Sequence, residues 1–318
     1  MAIKPYKTSD DIIESVQRKI AFPLSQNTFT EEDILHFANE EMMISMVPQI
    51  LSYHEEFFVY YDTTPLVYEK YNYPIPPRAI GMKLKDAFFE DNNGTLFEMT
   101  RIDPANKDYF QKNSYGFSYP QQYYYVNNDV VLAKHASTTV GNIRMEYFLR
   151  PNQLVRNDRA AVISDIVRVG DDVFVKFTSI PAHITTGSKI DVLQMESGHK
   201  LFSKDVIMPA VELDGSYKFT KKEIPEDVIV GDYICAQYEC IVPFAPDDLH
   251  SGLAERVCAR ILASISDFQG LAESKDKLKD IEYRQGNLID NRTESQCAKI
   301  VSRHTILRYN KARLRRYW

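Results

Sequence analysis

The chain has 318 residues, 44% hydrophobic and 26% charged, with a formal charge of -6, which fits two or three globular domains or one domain with a large insertion. Only 12 residues are Gly, against 20 Tyr and 17 Phe; so little Gly argues against a fold built on nucleotide-cradling loops, and so much Tyr suits half-buried strands. No segment approaches the ~20 apolar residues of a bilayer span, and the start MAIKPYKTSDDIIESV lacks the apolar run of a signal peptide, so the expectation is a soluble protein without a membrane partner.

In chain order, Thr8 or Ser9 caps a helix that begins with Asp10 and Asp11 and runs to about Ile20, and Pro23 ends it. Thr30 followed by Glu31, Glu32 and Asp33 opens a second helix. Ile34, Leu35, Ala38, Met42, Met46 and Ile50 carry its apolar stripe toward Phe58, and Pro48 predicts a kink or break one turn before it. From about Leu66 to Val242 the period becomes that of strands. Turn sequences at Asn92-Asn93-Gly94, Asn127-Asn128-Asp129, Gly170-Asp171-Asp172 and Asp214-Gly215 mark hairpins. Helix returns at Pro246-Asp247-Asp248, with Leu253, Val257, Ile261 and Ile265 on one face. A highly charged helix, roughly Leu271 to Asn287, follows on the outside of the fold or against a partner subunit.

These elements predict an α+β fold: a helical bundle built from the N- and C-terminal helices, a large β-rich insertion, and an extended basic C-terminal tail. The expected divisions are residues 1–62 (N-terminal helices), 63–155 and 156–245 (two parts of the insert), 246–298 (C-terminal helices) and 299–318 (arm).

Chemistry is sparse. There is no GxGxxG, Walker loop, GxSxG, HExxH or CxxC. Cys235, Cys240, Cys258 and Cys297 lack metal-type spacing and read as reduced thiols, with Cys235 and Cys240 on opposite faces of a strand. The seven histidines are scattered, and the pairs Asp171-Asp172 and Asp247-Asp248 fit a turn and a helix start. Neither a catalytic residue, a cofactor nor a metal site is expected, and the chain does not read as an enzyme.

The last twenty residues, KIVSRHTILRYNKARLRRYW, hold seven Lys or Arg and no acid, leaving -13 on the rest. A plain solubilising terminus is the simplest account of such a tail. Against it stand the apolar residues interleaved with the charges, the terminal Tyr317 and Trp318, and the excess of Arg over Lys, which favours planar contacts to carboxylate or phosphate. An acidic protein surface and nucleic acid both fit as targets.

Several stretches resemble the head-to-tail adaptor (connector ring) proteins of short-tailed bacteriophages, including crAss-like phages. They are Thr8–Val16, Pro23–Thr30, Phe37–Met42, Tyr147–Val155, Pro246–His250 and Leu288–Arg292 before the basic tail. The resemblance implies a structural virion protein at the head–tail junction, assembled in the host cytoplasm. It also implies a ring of twelve copies beneath the portal protein, above the next tail ring protein, around a channel that DNA crosses without sequence-specific binding. The arm residues Arg303, Arg308, Lys311, Arg313, Arg315, Arg316, Tyr317 and Trp318 would then grip the portal. Another tail ring or fibre-attachment hub of the same virion is the alternative, and a tail depolymerase a more distant one.

Overall fold

The computed structural model describes residues 6–20, 29–106, 120–133, 141–196 and 199–289. Helix α1 is Ser9–Ile20, with Asp10 and Asp11 in its first turn. Helix α2, Glu31–Glu41, opens on a capping box in which the Thr30 hydroxyl accepts the Asp33 N–H and the Asp33 carboxylate accepts the Thr30 N–H. The expected break before Pro48 takes the form of a π-helical turn, Met42–Met46, from which helix α3, Val47–Tyr53, continues. Pro48 has no N–H for the ladder, and the wider turn absorbs the mismatch without ending the helix. The turn keeps Met42 and Met46 in the core and turns Ile44 outward, 66% exposed.

Strands follow. A four-stranded sheet has the order β1 (Val59–Pro65), β8 (Asn142–Leu149), β3 (Ala79–Glu90), β4 (Leu96–Glu98). A second four-stranded sheet is β2 (Asn72–Pro74), β7 (Asp129–Leu132), β6 (Gln122–Val126), β5 (Thr100–Arg101). The third sheet has six strands in the order β13 (Leu201–Ile207), β12 (Lys189–Leu193), β15 (Tyr233–Ala236), β10 (Ala161–Val169), β11 (Asp172–Phe177), β14 (Tyr217–Thr220), and it curls on itself. A short parallel pair, β9 (Gln153–Leu154) with β16 (Glu239–Cys240), ties the two β regions. The chain then enters helix α4, His250–Ser264, and helix α5, Phe268–Ile289.

The predicted bundle-with-insertion is not the architecture. Strands form the larger part of a mixed α/β fold. Helices from both ends do meet: the Lys19 ammonium pairs with Glu255, Arg260 pairs with Glu41 at 3.2 Å, and the Arg256 guanidinium donates to Gln49 at 3.1 Å. They do not close a core of their own, however. One continuous apolar core runs from Ile12, Ile34, Met46 and Leu253 through Phe58 and Phe244 to Ile143, Met145 and Tyr147 of the first sheet. The helices therefore form a layer on the strands, because their apolar stripes are shared with the sheet faces. A separate core, with Ile163, Val175, Val192, Phe219 and Ile234, fills the curl of the six-stranded sheet.

Candidate functional site

The two β regions meet at a buried arginine. Arg78, 2% exposed, donates to both carboxylate oxygens of Asp191 at 2.9 and 2.8 Å, to Asp205 at 2.8 Å and to the Asn152 side chain at 3.2 Å. Its guanidinium lies over the Tyr238 ring, 4.2 Å from the centroid. Burial works against the Arg78 charge, but the bonds to Asp191 and Asp205 outweigh it and hold its pKa above the ordinary value. Burial likewise opposes ionisation of Asp205, and Arg78 reverses the balance, keeping that carboxyl below the usual range. Asp205 and Tyr238 both take positive φ, 57° and 69°, so the backbone bends to present them here.

Above this cluster lies an open cleft of about 970 Å³ between the edge strands β1 and β13. Phe57, Tyr60, Phe202 and Phe244 give it apolar walls, and Lys200, Lys204, Lys222, Glu56 and Glu223 add both signs of charge to its lining. Lys204 is spent on Asp62 and on the Tyr147 hydroxyl, which itself donates to Asp62 at 3.2 Å. Burial first, and Asp62 second, hold Tyr147 protonated well above its ordinary range. Burial also pushes Tyr60 up to about 12, although its hydroxyl accepts the Leu201 N–H at 3.0 Å. Two register shifts against β12 bend β13. A bent, lysine-bearing edge resists the addition of a further strand. The cleft thus presents a mixed charged and aromatic surface.

A third cluster joins His199, Asp247 and His250, whose ligand-type atoms all lie within 4.8 Å of one another. Its donor set does not suit a metal. The His250 Nε2–H donates to the Ala245 carbonyl at 3.0 Å, and its Nδ1 accepts the Lys7 N–H at 3.1 Å, so both ring nitrogens are spent on backbone. His199 Nε2 is bonded to Asp247, and its Nδ1 has no partner among the described residues.

Compared with known proteins, the chain matches no family model and no curated sequence.

The eight arm residues, Arg303, Arg308, Lys311, Arg313, Arg315, Arg316, Tyr317 and Trp318, lie outside the described residues, as does Cys297. Cys235, Cys240 and Cys258 are buried free thiols. Cys235 and Cys240 share one core and do not face opposite sides, because the turn at Tyr238 interrupts the strand between them. The scattered histidines include one pair that folding assembles: the His199 and His250 rings lie 5.0 Å apart. The Asp247/His250 spacing of three at a helix start was a visible sign of that cluster. No local pattern announces His199, or joins Arg78 to Asp191 and Asp205.

Proposed function

We propose that the chain is a structural virion protein of a short-tailed phage, a head-to-tail adaptor that assembles as a ring of twelve copies under the portal protein and above the next tail ring. One observation carries this reading: four of the stretches that resemble such adaptors converge on a single junction. The Asn39 side chain, in Phe37–Met42, exchanges two hydrogen bonds with the backbone of Leu154, in Tyr147–Val155, at 3.1 and 2.7 Å. Just beyond that second stretch, Asn157 bonds Thr8 and Ser9, in Thr8–Val16, at 3.1 Å each. His250, in Pro246–His250, holds Lys7 directly before the first stretch. Stretches scattered over the sequence thus meet at one junction of the fold, and in this reading that junction is the scaffold of the adaptor.

In this reading the basic tail is the portal-gripping arm. Its five arginines pair with acidic portal residues, while Tyr317 and Trp318 fill apolar pockets. Contacts of about 0.5–2 kcal/mol each add up around a ring. Electron microscopy of the full chain mixed with portal tests it: rings docked on portal are expected, and deletion of residues 299–318 is expected to leave ring formation intact and abolish docking. Truncated protein that still docks would remove the arm from this role, and single isolated subunits at all concentrations would remove the adaptor reading itself. Another tail ring or fibre hub remains the second reading, with the cleft between β1 and β13 as its partner surface; it predicts docking to a tail protein but not to portal.

A further inference from the structure

We propose that His250 is a one-proton latch: on acidification it releases the segment Tyr6–Lys7 from the start of helix α4, and at neutral pH it closes again. The argument is geometric. The Nε2–H bond to Ala245 fixes the neutral tautomer, so Nδ1 carries the lone pair that accepts the Lys7 N–H. A second proton has only Nδ1 to enter. Protonation turns an acceptor into a donor facing another donor, and the half-buried Lys7 N–H loses its partner beside the buried ring.

Two ionisable side chains face the ring and act on this proton in opposite directions, His199 against it and Asp247 for it. His199 stands 5.0 Å away and competes for the Asp247 carboxylate, which is bonded to His199 Nε2. Asp247 favours the charged imidazole, and so do the carbonyls of Ala245 and Pro243, but burial and His199 prevail and lower its pKa to about 4. The latch is therefore shut at neutral pH.

The hinge is equally defined. The Ser9 N–H donates to the Ile241 carbonyl at 2.7 Å and the Thr8 and Ser9 hydroxyls bond Asn157, contacts that involve no ionisable group, while the Thr8 N–H and hydroxyl also donate to the Asp11 carboxylate at 2.9 Å each. Release therefore stops at Thr8. It frees Lys7 and uncovers Tyr6, which is buried and packs edge-on against His199 with 5.8 Å between ring centroids.

NMR of the full chain with isotope-labelled lysine and histidine, taken from pH 7.5 to 3.5, reads both ends of the latch. The Lys7 amide is expected to shift and lose exchange protection in one titration that coincides with the His250 ring carbon, while the other protected lysine amides stay unchanged. A Lys7 amide that stays protected after His250 has titrated overturns the proposal, as does loss of all lysine amides together. In His250→Asn, whose side-chain oxygen replaces the Nδ1 acceptor, Lys7 is expected to stay protected to the lowest pH at which the fold persists. Loss at the wild-type pH in that variant would also overturn it. The wild-type coincidence decides the matter by itself if the variant fails to fold.

Discussion

Asp191 has lost all contact with water and accepts hydrogen bonds from Arg78, from the Asn152 amide and from the backbone N–H groups of Asp205 and Tyr238. Removing Arg78 leaves this carboxylate with three donors; removing Asp191 leaves a buried guanidinium with the Asn152 oxygen and, as its one remaining counter-charge among the described residues, the partly exposed Asp205. The two truncations should therefore differ. Asp191→Leu is expected to cost about 3–5 kcal/mol in urea unfolding, Arg78→Met clearly less, and the double variant less than the sum. Equal costs for the two single variants would show that the arginine is not the group in debt. His250 sets the pH dependence. Its folded pKa of about 4 lies below the ordinary 6.5, so between these values the unfolded chain binds the extra proton. Stability is then complete above about pH 6.5 and falls as the pH drops to about 4, by at most about 3 kcal/mol, a loss that His250→Asn removes from the unfolding curves. Asp205, held low, adds its own loss only below its ordinary 3.8.

At the level of elements, what the sequence spells locally is what it reveals. The Thr30/Asp33 box and the turn glycines specify their own backbone without help from distant residues. Gly94, Gly170 and Gly215 all take positive φ at the expected hairpin tips. Gly141 is a different case, since its need is tertiary: at φ +114° an added Cβ would sit 2.5 Å from the Phe89 ring and 2.8 Å from the Glu90 carbonyl. Gly141→Ala is expected to cost about 2–4 kcal/mol in thermal or urea unfolding. Gly94→Ala, with nothing within 4 Å, should cost about 1 kcal/mol, because only its backbone is strained. The two-residue strands β9 and β16 carry no periodic signal at all, and their pairing rests on contacts between residues more than eighty positions apart. The same holds for Arg78 and His199, whose partners lie 113 and 48 positions away.

For the whole molecule, helix at both ends and strands between was legible, because amphipathic period is a local property. Which layer those helices would cover was not. The stripe of α2 reads the same whether it faces another helix or a sheet, and Phe58, Phe244 and Tyr147 decide the matter only once they are brought together. The body bears a formal -13 and the last twenty residues +7. If the tail acts electrostatically, docking of the full chain should weaken steeply between about 50 and 500 mM salt, while its thermal midpoint changes little. A docking constant insensitive to salt would shift the weight onto Tyr317 and Trp318.

The meeting of α1 with α4 also has a cost in time. Helix α2 covers part of α1 early, but Ile12, Ile13 and Val16 complete their cover only when residues near Leu253 and Val257 exist, about 240 positions later. At 5–20 residues per second, a ribosome leaves that first helix without its full cover for roughly 10–50 s. The nascent chain thus spends most of its synthesis with an open apolar flank, and chains stopped before His250 should collect in the insoluble fraction unless a chaperone holds them.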